Sequence, residues 1–112
     1  MSIEHTDAES IAVAEAPRER VALADIEAAI QSRYNTRGIF AVTADSCADS
    51  ESLRLLSICI LIMRNGFMVI GKSAPASAKN FNAELGCKFA YEDAIRQLWP
   101  LMGFALRDKL MA

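Results

Sequence analysis

The chain has 112 residues, a length that favours one small domain. Apolar residues make up 53% and charged residues 23%, an ordinary globular balance. Twelve basic against fourteen acidic side chains leave a net charge of −2, so bulk charge marks neither a nucleic-acid binder nor a strongly acidic mimic.

The longest apolar run, Leu55 to Met63, is about nine residues, under half of the roughly 20 that a membrane helix needs. Glu4, Asp7, Glu9 and Glu15 interrupt the N-terminal stretch, which has no apolar core of the kind an export signal requires. A cytoplasmic protein without a membrane partner is therefore expected. Cys47, Cys59 and Cys87 form no CxxC pair, and their odd number reads as free thiols in a reducing compartment. Cys59 lies within an apolar run, where cysteine acts as a small hydrophobe. His5 is the only histidine, so a His-based triad or a His-rich metal site is not expected, and a cysteine nucleophile would lack its usual base. Glu84, Glu92 and Asp93 are of a type that can act as acids or bases, but they read as solvated helix-surface acids. The expectation is a non-enzyme with no cofactor and no metal.

In chain order, residues 1–18 read as a disordered acidic tail, and residues 19–112 as a single α+β domain. Through Glu27 there are seven acids and two bases, a sum of −5; from Ala28 onward there are seven acids and ten bases, a sum of +3. Val21 to Tyr34 has the spacing of an amphipathic helix, with Leu23, Ile26, Ile30 and Tyr34 on one stripe. Asn35 to Gly38 reads as its stop signal. Ile39 to Thr43 suggests a short strand, and Ala44 to Glu51 a polar linker.

Two apolar runs, Ile58–Met63 and Phe67–Ile70, flank Asn65-Gly66, a strong hairpin signal. A two-residue turn would pair Arg64 with Phe67, Ile62 with Val69 and Ile60 with Gly71. Cys59, Leu61, Met63, Met68 and Ile70 would then share one face, and Ile58, Ile60, Ile62, Phe67 and Val69 the other. Both faces are apolar, so one calls for cover beyond the domain's own helices, and a homo-oligomer is expected.

Ser73 to Lys79 reads as a loop. Phe81 to Trp99 reads as a long helix with Asn80 or Asn82 as N-cap. Gly86, Ala90 and Ala94 form a small-residue stripe for close backbone packing, with Phe81, Leu85 and Phe89 beside it. Pro100 is expected to break or kink the helix, with Leu101 to Leu110 as a final short helix.

The run Cys59 to Ala74, Asn80-Phe-Asn-Ala-Glu-Leu-Gly, and Leu98-Trp-Pro-Leu-Met-Gly-Phe-Ala-Leu together resemble a family of small tailed-phage and prophage proteins. That family is named after reading frames of phages N-four and Sf-six. The similarity runs from Cys59 to Leu110, with a weaker echo in Asp25 to Ile30. The resemblance implies a phage accessory gene working in the host cytoplasm and no particular chemistry.

Two classes of function follow from these readings. One is a binding protein used in counter-defence, which sequesters a nucleotide-type immune signal or blocks a host defence protein. Its candidate ligand-binding residues are Arg64, Lys72, Lys79, Asn80 and Lys88, cations and an amide gathered in sequence around the loop and the start of the long helix. The alternative is a small nucleic-acid-associated protein using Arg96, Arg107 and Lys109, which the net charge disfavours, or a structural component of the virion.

Overall fold

The computed structural model describes Ile3, residues 19–42 and residues 50–112. The expected tail, residues 1–18, therefore lies outside the described residues apart from Ile3, which is buried in the core cluster. The architecture is α+β: a three-stranded antiparallel sheet with one long helix across a single face.

Helix α1 spans Leu23–Ala29. Ala22 has no capping side chain, so Asp25 reaches back and accepts a hydrogen bond from the Ala22 N–H at 2.9 Å. Leu23 and Ile26 point into the core. The helix then stops five residues earlier than its stripe suggests, and Ile30–Arg37 forms strand β1. The reason is tertiary. Strand β2, Ser57–Met63, is the central strand, and with β3 alone one row of its N–H and C=O groups would lack partners. Strand β1 takes that row, pairing Ser32 with Ile62, Tyr34 with Ile60 and Thr36 with Ile58 after an irregularity between Ile30 and Ser32. Tyr34, expected inside a helix stripe, is instead more than half exposed.

The expected strand at Ile39–Thr43 is replaced by a single 3-10 turn, Gly38–Phe40; Thr43 and residues 44–49 lie outside the described residues. Gly38 donates to the Leu56 carbonyl at 2.9 Å, extending the β1–β2 ladder by one pair. Ser50 and Glu51, placed in a linker by composition, open helix α2, Ser50–Leu55.

The hairpin is present, but its register differs by one residue. Strand β3 spans Met68–Ser73 and pairs Met68 with Ile62, Val69 with Leu61 and Gly71 with Cys59. The connection is a three-residue loop, Arg64-Asn65-Gly66. Gly66 has φ +90°, while no other described residue has positive φ, so Asn65 does not take the left-handed conformation that a two-residue turn requires. Gly66 donates to the Met63 carbonyl at 2.9 Å, and the Asn65 Oδ1 accepts from the Phe67 N–H at 2.9 Å. This is the turn-plus-left-handed-glycine solution for a three-residue loop. Because side chains alternate along a strand, the slip reassigns β3. Val69 joins Cys59, Leu61 and Met63 inside, while Met68 and Ile70 stand outside with Ile58, Ile60 and Ile62.

Helix α3 runs without interruption over Ala83–Met111, through Pro100. The expected break does not occur because Pro100 is on the exposed side, where the missing N–H and the ring face solvent. Asn82, of the two candidate caps, accepts from the Leu85 N–H at 3.0 Å. The Gly86–Ala90–Ala94 stripe lies against the chain's own sheet. A Cβ on Gly71 would overlap the Ala90 carbonyl oxygen and sit 2.6 Å from the Ala94 nitrogen, and one on Gly86 would overlap the Ser57 hydroxyl. This stripe is therefore internal and cannot hold a second subunit. Beyond the sheet, Trp99 Nε1 donates to the Val21 carbonyl at 2.9 Å, tying α3 to the segment before α1.

Candidate binding surface

Tight helix–sheet packing covers one sheet face and leaves apolar surface elsewhere. Where α3 passes the hairpin tip, it borders a groove of about 460 Å³. Ala29, Met63, Phe67, Leu98, Leu101 and Met102 are its main walls, with Arg64 and Asn65 on the rim. Phe67 and Leu101 are about half exposed, so the groove opens to solvent. Phe104, one turn beyond Leu101, is 72% exposed. The sequence reading missed this groove because it ended the long helix at Trp99; only a helix carried through Pro100 sets Leu101 and Met102 against the hairpin.

Arg64 has a local task here. Its main-chain N–H donates to the Ala29 carbonyl at 2.9 Å, and its Nε donates to the Ala28 carbonyl at 2.7 Å. It thus satisfies carbonyls at the C-terminus of α1, the end of a helix that favours a cation, and fastens the hairpin tip to that helix.

The five residues proposed as a ligand site do not converge. Arg64 is in the turn, whereas Lys72 pairs with Ile58 near the other end of the hairpin, six residues before Arg64 and roughly 20 Å further along at 3.4 Å per residue. Lys72 stands on the outer face of the sheet with Ile58 and Thr36, while Lys88 is on α3, which packs on the inner face. Lys79 and Asn80 occupy the exposed 3-10 turn Ala78–Asn80 between β3 and α3. Arg64 borders the groove at the hairpin tip, and Asn80 lines a separate cavity of about 210 Å³ beside Phe81, Gly86 and Phe89. The lysines near the helix start are neighbours in sequence and are spread over three sides of the fold.

Two other arginines are held by aromatic rings. Arg33 lies 4.1 Å from the centre of the Tyr91 ring and Arg37 lies 4.7 Å from that of Phe81. Arg37 also donates to the Arg54 carbonyl. These side chains spread over the strip of inner sheet face that α3 leaves open under β1. Burial raises the Cys59 thiol above its ordinary pKa, with Arg33 partly opposing it. Burial, then the neighbouring Glu27, likewise raises the Tyr91 hydroxyl. A thiol held in its neutral form is a poor nucleophile. Among the described residues, no group of three or more His, Cys, Asp or Glu side chains is placed to hold a metal ion. No described helix is long and apolar enough to cross a membrane.

Comparison with known families places this fold. Residues 21–110 match the model of the phage protein (N4 Gp49/phage Sf6 gene 66) family. The chain belongs to this family. The match begins just before α1 and ends within the last turn of α3, so it takes in the sheet, the groove and all but the last residue of α3. No curated protein and no solved structure matches the chain.

Proposed function

We propose that this member of the phage family is an accessory protein that acts by binding, without catalytic turnover, and that its target is a host defence protein. The observation that supports this reading is the apolar groove between the hairpin tip and α3, open to solvent and walled by Met63, Phe67, Leu98, Leu101 and Met102. Such a surface suits the apolar side chains of a protein partner. Sequestration of a nucleotide signal by one chain is the weaker version, since a phosphate site needs converging cations and Lys72, Lys79 and Lys88 stand apart.

The test is phage plating on hosts that each carry one defence system, with and without this protein. Rescue of plating by the wild type, lost in Leu101→Asp while folding is retained, supports the proposal. Tight binding of cyclic di- and trinucleotides in calorimetry would favour sequestration instead, and a salt-sensitive shift of DNA would favour a nucleic-acid role. No rescue on any host would refute the defence target.

A further inference from the structure

The two edges of the sheet are treated differently. In antiparallel pairing, alternate residues turn their N–H and C=O away from the neighbouring strand. On β3 these are Met68, Ile70 and Lys72. Two side chains of α3 occupy that row: Asp93 Oδ2 accepts from the Lys72 N–H at 2.9 Å, and Gln97 Nε2 donates to the Ile70 carbonyl at 2.7 Å. That edge is closed to another strand, a common protection of exposed edges. On β1 the ladder to β2 runs through Ser32, Tyr34, Thr36 and Gly38. Arg33 and Asn35 therefore turn their main-chain groups outward, and among the described residues no side chain or strand meets them. Among the described residues, helix α3 packs chiefly over β3 and β2.

We propose that the open edge of β1 pairs with β1 of a second copy of this chain, in antiparallel fashion about a two-fold axis at Tyr34, joining two three-stranded sheets into one of six strands. The charges select this register. An axis at Arg33 would set Arg33 opposite its own copy, and an axis at Asn35 would set Arg33 opposite Arg37 of the second chain; facing like charges destabilise a strand pair. An axis at Tyr34 sets Arg33 opposite Asn35 and Ser32 opposite Thr36, with no like charges facing. The two Arg33–Asn35 pairs then exchange main-chain hydrogen bonds. The two Tyr34 rings meet as a non-hydrogen-bonded pair, the closer kind, on the outer face. That face carries Ile60 and Ile70 in the same row as Tyr34, so pairing makes the apolar row of each subunit continuous with its copy. A strand edge alone covers less than the roughly 800 Å² per partner of a standard interface, so association in the micromolar range is expected.

Light scattering on the full chain from micromolar to sub-millimolar concentration should give a mass rising towards twice 12.2 kDa. Asn35→Pro removes an outward N–H, which an edge strand tolerates, and should keep the circular dichroism of the wild type while holding the mass at 12.2 kDa. Independently, Tyr34→Cys, with Cys47 and Cys87 replaced by serine, should form a disulfide-linked dimer on mild oxidation, because facing Cα atoms of such a pair lie about 4.5 Å apart. Ile70→Cys, on the closed edge, should not. A wild-type mass fixed at 12.2 kDa throughout would overturn the proposal and leave the edge to a strand of another protein. Cross-linking of Ile70→Cys as readily as Tyr34→Cys would overturn it in favour of stacking between outer faces.

Discussion

Gly71→Ala is the sharpest probe of how this fold is assembled. The added methyl group points from β3 into α3, where it overlaps the Ala90 carbonyl oxygen and comes within 2.6 Å of the Ala94 nitrogen and 2.9 Å of the Ala94 Cβ. These are helix main-chain and Cβ atoms, so no rotamer change can relieve the contact. Restoring ordinary contact at 3.4 Å requires the helix to retreat by at least 0.8 Å at the Ala94 nitrogen and by more at the Ala90 carbonyl oxygen. A gap of 0.5–1 Å forfeits roughly a quarter to a half of the dispersion energy of the atoms it separates. The interface concerned includes Cys59, Leu61, Val69, Ala90, Ala94 and Ile95, all buried. Overpacking that a core can absorb costs about 1–3 kcal/mol, and a main-chain clash belongs at or above the upper limit. We therefore expect a loss of about 3 kcal/mol, which for a domain of this size lowers Tm by roughly 12 °C. Urea and thermal unfolding followed by circular dichroism measure this directly. Gly103→Ala is the matched control: nothing lies within 4 Å of its added Cβ, and α3 should gain about 0.5–1 kcal/mol. If Gly71→Ala unfolds within about 0.5 kcal/mol of wild type, the closeness of helix and sheet argued above is wrong.

Gly66→Ala meets no neighbour, so its cost is conformational only; φ of +90° should make it about 1–2 kcal/mol, measured by urea unfolding, and Gly66→Val should cost more. Ile3→Ala removes a side chain only 5% exposed and should cost about 2–3 kcal/mol; the same Tm as wild type would show that Ile3 is dispensable to the core. Alkylation by iodoacetamide at pH 8, read by mass spectrometry, should label half-buried Cys87 well before fully buried Cys59, whose thiol burial holds above its ordinary pKa. Labelling of Cys59 should become fast only in urea.

The helix–hairpin–helix order of this chain is written locally. Asn65-Gly66 between two β-branched runs specifies a reversal, Asn82 with the periodicity after it specifies the start of α3, and Gly86, Ala90 and Ala94 announce a close backbone approach before its partner is known. These signals act within a few residues of one another, so they survive without tertiary context. The family resemblance was legible for a related reason, since the quoted segments are the same hairpin, cap and helix. What the sequence alone leaves open is every choice between two locally acceptable states. Ile30 to Tyr34 suits a helix by its spacing and a strand by its composition; the unpaired row of β2 decides for the strand. A two-residue and a three-residue turn both use Asn65-Gly66; the register follows from which β3 residues, Val69 and Gly71, can lie under α3. Pro100 breaks a helix or is carried by one according to whether it faces packing or solvent. The groove depends on all three outcomes, and so does the scattering of Lys72, Lys79 and Lys88. Residues close in sequence are carried to different sides once a strand, a turn and a helix separate them, because a strand and the helix packed on it present opposite faces to the solvent.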